Sequence, residues 1–441
     1  MDDAKLRLAI IGGGIGGLTL ALALSRFDVD SLIQIDIYES AAKLTEVGAG
    51  IGFWPRGWEI VKDLGLEEDL ITYITPGQGP PSAKVKNTPF IIKKSDSKDD
   101  IELPDVSFRS TSITFHRADV QNVLLKHLPS TIPVHLSKRL VSYRESDQGT
   151  ELHFKNGETA TCDMLVGADG VHSVVRKGLL ARMYDLSEEE VELKARPVWS
   201  GVAIYRSVFE SDPVRKQIPD HPTLTKPIMY FGKSKHVVCY PISRGKLINV
   251  AAICTEFDKE GTYLEGPAVT QSSPDTVLSV FTTWSEEVQS ILKNVKNPTK
   301  WAVEVVRPLE KYAHGSVFLL GDAAHAMTPN LAIGAGQALE DSYILAQVLN
   351  KALRSGKAFD PSKVAEVYSA IRTPLGNSAA EASRLQGQRI ELELPGFEDV
   401  KEGDTVSPER LASISKEIEK GSDWAWDAPI SADVERALKM I

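Results

Sequence analysis

Gly12, Gly14 and Gly17 stand at the spacing of a turn that can hold a pyrophosphate, and Glu39 follows Gly17 by 22 residues. Each position needs its residue type. Gly12 permits a tight turn, Gly14 lets an anion approach the backbone, and Gly17 lets a helix lie close to a strand. A helix N-terminus at that turn offers unpaired N–H groups and the positive end of its dipole to phosphate oxygens. A carboxylate at Glu39 can accept hydrogen bonds from ribose hydroxyls. With 32 glycines in the chain, the three alone are a weak pattern. The flanking elements make it specific.

Those elements are legible. Leu8-Ala9-Ile10-Ile11 is an apolar run of strand length, residues 18–26 are rich in Leu and Ala like a helix packed on a sheet, and residues 33–38 read as a second strand ending at Glu39. Strand, Gly-rich turn, helix, strand and acid together make the dinucleotide-binding unit.

Composition bounds the rest. At 441 residues the chain has room for two domains or for one large domain with an inserted layer, and 42% hydrophobic with 25% charged residues is ordinary for a globular protein. Lys and Arg number 50 against 60 Asp and Glu, a net charge of −10, which argues against nucleic acid or an anionic membrane as main partner. Cys162, Cys239 and Cys254 are few, odd in number and widely spaced, which fits a reducing compartment. The opening Met1-Asp2-Asp3-Ala4-Lys5 precedes only a short apolar run, so no signal peptide is expected. No apolar stretch reaches the roughly 18 residues of a membrane span. A cytoplasmic location is the expectation.

Further along, Val47-Gly48-Ala49-Gly50-Ile51-Gly52 is a second small-residue stretch against which a flat ligand can lie. Residues 58–64 read as a helix ending at Gly65, and residues 76–100 as an exposed hairpin around the apolar piece 89–92. His116-Arg117-Ala118-Asp119 opens an amphipathic helix with Val120, Val123, Leu124 and Leu128 on one face. Residues 134–136, 140–142 and 151–154 look like strands, with a turn at 155–158. From 197 to 255 strands follow one another without helices (198–205, 228–231, 237–240, 247–254), which predicts a mostly antiparallel second domain. Residues 258–274 read as a polar loop, 316–320 as a buried strand, 338–353 as a long helix, and the tail from Glu391 as charged and partly helical.

Three more motifs complete a set. Asp163-Met164-Leu165-Val166-Gly167-Ala168-Asp169-Gly170 is a strand and turn; Gly321-Asp322-Ala323-Ala324-His325 follows a strand; Gly334-Ala335-Gly336-Gln337-Ala338-Leu339-Glu340-Asp341 leads into a helix. In this order, with the first Gly-rich turn, they resemble the FAD-dependent aromatic hydroxylases, the single-component flavoprotein monooxygenases, and within them the salicylate hydroxylase branch. The resemblance extends over nearly the whole chain, including Met229-Tyr230-Phe231-Gly232, Leu247-Ile248-Asn249-Val250 and Asp423-Trp424-Ala425-Trp426.

The resemblance implies an α/β plus antiparallel-sheet architecture. A Rossmann-like FAD-binding domain would be drawn from residues 1–75, 106–190 and 300–370, a β-sheet substrate domain from 76–105 and 191–299, and C-terminal helices from 371–441. Gly12, Gly14, Gly17 and Glu39 would hold the ADP half of FAD. Arg117 would approach the pyrophosphate or ribityl chain, or else pair with a surface carboxylate. Asp169 would lie near FAD and the nicotinamide nucleotide, and its turn equally suits a carboxylate capping the next helix. Asp322 would bond a ribityl hydroxyl. Gly334, Ala335 and Gly336 would bring a positive helix end to the flavin's pyrimidine edge.

The implied chemistry is reduction of FAD by NADH or NADPH, capture of O2 as a flavin C4a-hydroperoxide, and its attack by an electron-rich phenol, in salicylate-type enzymes with loss of CO2. Ring or dearomatising hydroxylation without CO2 loss is the alternative. No metal is expected, because the nine His do not fall into ligand spacing. Matching strands gives His236, Tyr240 and Arg206 as candidate catalytic residues, with Met229, Val238 and Pro329 as pocket walls; an ordinary core role suits His236 and Tyr240 as well. His325 reads as structural, and Trp424 and Trp426 as packing. Relatives commonly carry His where this chain has Asn330, a fourth candidate catalytic residue, which cannot act as a base but can donate or accept a hydrogen bond beside the flavin. They carry Gly-Pro-Asn-Ala where it has Trp54-Pro55-Arg56-Gly57. The partner expected is a small phenolic acid, and the protein a monomer or homodimer.

Overall fold

A computed structural model describes residues 5–27, 29, 32–44, 50–74, 79–80, 91–103, 106, 112–184, 186–422 and 428–441. Val47, Gly48 and Ala49, residues 76–78 and 81–90 of the expected hairpin, and Asp423, Trp424, Ala425 and Trp426 lie outside the described residues.

In the strand Leu6–Ile11, Leu8 to Ile11 are buried and apolar because they lie inside a six-stranded sheet. Its neighbours are Ile33–Tyr38 on one side and Met164–Gly167 on the other, both parallel to it. Val134–His135 extends the first side; Val317–Leu319, with the short antiparallel Ala313–His314, extends the second. The chain therefore leaves the first strand toward one edge and returns on the other side of it. At such a reversal the strand ends leave a crevice. Gly12, the Ala168-Asp169-Gly170 turn and Gly321-Asp322 all follow the C-terminal ends of three adjacent strands, so separation in sequence becomes proximity in space.

The helix Ile15–Arg26 covers this sheet and packs against the 20-residue helix Gly334–Leu353. Small residues permit the approach: a Cβ on Gly16 would touch the Ala338 methyl at 3.5 Å, and Ser342 Oγ donates to the Gly16 carbonyl at 2.8 Å. The helix Pro361–Ile390 was not apparent in the sequence, because Pro374 interrupts its pattern midway. It runs through the boundary expected at 370.

The second layer is an eight-stranded sheet in the order Val269–Gln271, Thr299–Val305, Val198–Glu210, Leu247–Thr255, Lys235–Ile242, Ile228–Gly232, Ile91–Lys94 and Ile101–Glu102. Neighbours are antiparallel except Ile228–Gly232 with Ile91–Lys94, which run parallel. Thr299–Val305 thus belongs to this sheet, where the sequence reading had returned to the first domain at 300. Within the expected loop 258–274, Val269–Gln271 forms an exposed edge strand. The hairpin at 91–102 is not exposed as expected: Lys94, Ser95 and Asp96 are buried. Its strand pairs with Ile228–Gly232, and the Lys94 ammonium finds a counter-charge in Asp96 and a carbonyl in Asp404.

Alternation decides which residues face the other layer. Tyr205, Phe209, Tyr230, Val237, Cys239, Ile248, Val250 and Ala252 pack on Val277, Phe281, Trp284, Val288 and Ile291 of the outer helices. Their strand neighbours face the crevice. Among the described residues, no helix is long and apolar enough to cross a membrane.

Candidate active site

One cavity of about 360 Å³ lies between the crevice of the first sheet and the inner face of the second, within the usual range for small-ligand sites. Its floor is three rungs of the eight-stranded sheet. Ile204, Ile253 and His236 form one rung; Arg206, Ala251, Val238 and Met229 the next; Asn249 and Tyr240 the third. Its roof is Gly14, Ile15, Gly16, Gly50, Ile51, Gly52 and Arg117, and its end wall Asp322, Pro329, Asn330, Gly334 and Ala335.

Of the expected nucleotide-binding residues, Gly14, Arg117, Asp322, Gly334 and Ala335 line this cavity. Gly12 and Gly17 pack against each other instead: a Cβ on Gly17 would lie 2.1 Å from the Gly12 carbonyl oxygen, and one on Gly12 would lie 2.2 Å from that of Ala168. Gly12 also has φ +115°, open to glycine alone at little cost. Glu39 is outside the lining; its carboxylate accepts from Gly13 N at 2.8 Å and Ala41 N at 2.7 Å, bracing the turn. Gly336 also lies off the lining, one helical step beyond Ala335.

Asp169 behaves as a cap. Its two oxygens accept from Ser173 Oγ at 2.5 Å and Val174 N at 2.8 Å, at the start of the helix Val174–Tyr184. The cavity is reached by its neighbours Ala168 and Gly170, not by the Asp169 side chain.

The residues present fit FAD. Two long helices, Ile15–Arg26 and Gly334–Leu353, begin at the same cavity, and neither has a side-chain cap or an acid in its first turn. Bare N–H groups at two converging helix ends are suited to pyrophosphate at one and to an electron-rich ring edge at the other. Cβ atoms on Gly334 and Gly336 would meet nothing within 4 Å, so this end is open. Gln121, one turn beyond Arg117, was missed in the sequence. It donates to the Gly13 carbonyl at 3.0 Å and holds the Gly-rich turn in shape.

At the floor, Arg206 is the unusual group. Its Nε is buried without a hydrogen-bond partner, and the guanidinium makes no ion pair among the described residues. The Trp301 ring, 5.3 Å from Cζ, is its electrostatic neighbour on one side. Burial and the nearby Arg117 lower its pKa, Tyr240 opposing. Tyr240 itself is pushed up to about 12 by burial, Arg206 partly countering, so it stays a neutral hydroxyl near pH 7.

His236 is buried, and its Nδ1 lies 2.7 Å from Glu391 Oε1. Asn330 lines the cavity, but its Nδ2 donates to the Ser383 carbonyl at 3.1 Å and to Thr328 Oγ1 at 3.3 Å. That amide ties the loop to the long helix. His325 is structural, with Nε2 2.6 Å from Asp341 Oδ2. Arg56, where relatives carry Asn, bridges Glu340 at 2.9 Å and Asp433 at 2.6 Å beneath the site. No cluster of three or more potential metal ligands occurs among the described residues.

A protein with this crevice, these helix ends and this sheet-floored cavity is a flavoprotein, and comparison with known proteins agrees. The family model described as FAD binding domain matches residues 5–383, and the chain belongs to that family. It is 30% identical to a salicylate hydroxylase of Pseudomonas putida over 98% of this chain and 94% of the relative. It is 33% identical to a 6-methylsalicylate 1-monooxygenase of Aspergillus terreus over 80% and 76%. A solved salicylate hydroxylase substrate complex superposes with a TM-score of 0.79 at 29% identity, covering 98% of both chains. The protein is an FAD-dependent aromatic hydroxylase of the salicylate hydroxylase-like kind, using NAD(P)H and O2.

Proposed function

We propose that this protein hydroxylates a small phenolic acid of the hydroxybenzoate or salicylate kind, with loss of the carboxylate as CO2. The observation that carries the reading is Arg206, a half-buried cation in the cavity wall whose Nε is buried without a hydrogen-bond partner and which has no counter-charge among the described residues. Such a group is costly until an anion meets it, and a carboxylate matches a guanidinium with two parallel hydrogen bonds. The similarity to relatives that hydroxylate salicylate and 6-methylsalicylate supports the same substrate class.

When bound, FAD supplies the reactive oxygen and is recharged by NAD(P)H. The chain's own residues do the rest. Met229 and Val238 hold the ring flat against the floor, and Pro329 with the Asn330 loop closes the end. His236, through its Nε2, accepts the phenol proton, and the phenolate so formed is richer in electrons at the ring carbon beside it. In an ortho-hydroxy acid that carbon bears the carboxylate, which leaves as CO2 when oxygen is added there. Tyr240 keeps its proton and donates to the phenolate oxygen. We further propose that the enzyme works in the cytoplasm as a monomer or homodimer.

The test is a panel of salicylate, 4-hydroxybenzoate, vanillate and a resorcinol aldehyde, each with NADH and with NADPH. Cofactor oxidation, CO2 release and product mass are followed together. Coupled CO2 loss from one acid establishes decarboxylating hydroxylation. A hydroxylated product with its carbon count retained overturns that step in favour of simple or dearomatising hydroxylation.

A further inference from the structure

Glu391 is the residue on which His236 depends. The two are 155 positions apart and both buried, and Glu391 Oε1 lies 2.7 Å from His236 Nδ1. The other oxygen, Oε2, is buried with no partner. Around the pair stand apolar side chains: Phe231, Ile390 and Leu392 are all buried in one cluster.

Burying a carboxylate with one oxygen unsatisfied is unfavourable, and an apolar residue there would pack at least as well. Stability therefore does not account for an acid at this place.

The backbone around Glu391 is built to hold it. It is the residue after the helix Pro361–Ile390, with its N–H on the Gly387 carbonyl at 2.9 Å and its carbonyl accepting from Ser234 N at 3.0 Å. Ser234 Oγ donates to Glu393 Oε1 at 2.7 Å, and Lys233 Nζ reaches the Leu392 carbonyl at 2.8 Å. Leu392 itself takes φ +57°, a left-handed conformation unfavourable for a leucine. The turn between the strands Ile228–Gly232 and Lys235–Ile242 is thus clamped to the segment that carries Glu391. His236 is the second residue of the latter strand.

We infer that Glu391 is a positioning residue for the hydroxylation: it accepts the Nδ1 proton of His236, so that Nε2 carries the free lone pair at the cavity wall. His236 Nε2 makes no hydrogen bond among the described residues. In the proton transfer the phenol O–H bond breaks and an Nε2–H bond forms. The imidazolium so produced faces the Glu391 carboxylate, which balances its charge. This inference rests on the reading of His236 as the phenol's base.

Nitrogen NMR of holoenzyme labelled with 15N-histidine separates the two claims, because it reports which ring nitrogen carries the proton whatever the substrate. His236→Asn identifies the signal. The wild type is expected to show Nδ1–H with a bare Nε2. Glu391→Leu is expected to shift the proton to Nε2, and Glu391→Gln, whose amide oxygen still accepts, to keep it on Nδ1. With salicylate as the aromatic, kcat is expected to fall about tenfold in Glu391→Leu with KM within about twofold, and Glu391→Gln to recover most of it. Glu391→Met serves the same reading where Leu lowers the flavin content. An unchanged nitrogen spectrum in Glu391→Leu overturns the inference by itself. If His236→Asn hydroxylates the panel at the wild-type rate, the proton-accepting role of His236 falls and the positioning role with it, even with the spectral shift intact.

Discussion

The Tyr240 hydroxyl occupies the space that a side chain at Gly50 would need: a Cβ built on Gly50 lies 1.8 Å from Tyr240 Oη. Gly50 begins the strand Gly50–Phe53, which pairs with Ile113–His116, and Tyr240 belongs to the eight-stranded sheet, so the two elements meet closely here. Gly50→Ala is expected to push the phenol ring off its place while leaving the fold intact. A displacement of this size at a reacting site costs on the order of 100-fold. The expected result is kcat/KM for the aromatic lowered by about that factor and more peroxide per NAD(P)H oxidised. Wild-type coupling in Gly50→Ala would show that Tyr240 does not touch the substrate.

Arg206 separates binding from stability. Arg206→Met removes a half-buried charge, with a buried and unpartnered Nε, that has no counter-ion among the described residues, so thermal stability without substrate is expected to hold or rise. Affinity for the phenolic acid is expected to fall about 100-fold, within the cost of losing one partner of a buried charge pair. Flavin absorbance changes on titration with the acid, beside a melting curve, measure both. A large loss of stability with unchanged affinity would place the missing counter-charge elsewhere.

Beneath the flavin-side wall, Arg372 joins Asp341 Oδ1 at 2.7 Å and Glu340 Oε2 at 3.1 Å, all of them buried. Removing one partner leaves an uncompensated charge, so Arg372→Met is expected to destabilise by about 3–5 kcal/mol. Because Asp341 also accepts from Gly321 N at 2.8 Å, next to Asp322, flavin retention is expected to weaken with it. Urea unfolding and flavin content report the two effects.

The same network sets an acid limit. Burial raises the Asp341 carboxyl, but His325 and Arg372 outweigh it and hold it at about 2, below the ordinary 3.8. A depressed folded-state value means that the stabilisation is complete above about pH 4 and is lost as the pH falls through about 2. Asp341→Asn is expected to be less stable than the wild type near pH 7 and to converge on it toward pH 2. Denaturation midpoints across that range decide it; a constant difference would remove Asp341 as the cause.

Gly17→Ala tests the turn. Its methyl would stand 2.1 Å from the Gly12 carbonyl oxygen, where backbone rather than a flexible side chain must yield. Overpacking of this kind costs about 1–3 kcal/mol. The expected product is a folded but colourless protein, read from its visible spectrum and flavin content.

The sequence by itself determined what repeats locally. Gly12, Gly14 and Gly17 announced a dinucleotide turn because glycine is the residue that permits those approaches, and strands such as 247–254 were visible because strand-forming composition is a property of short segments. The candidate floor residues His236, Val238, Tyr240 and Arg206 were named from strand matching, and the structure brings all four to one cavity.

Tertiary structure decided everything that depends on register between distant segments. Asp169 suited a place near the flavin and a helix cap alike, and the structure shows its oxygens taken up by the helix it caps. Residues 76–100 read as an exposed hairpin because they are rich in Pro, Gly and Lys, yet Lys94 to Asp96 are buried, with Lys94 meeting Asp96 and the Asp404 carbonyl. Glu391 read as the start of a charged tail. A hydrogen bond across 155 residues is specified by the packing of a long helix on a sheet turn, and no local pattern carries that information.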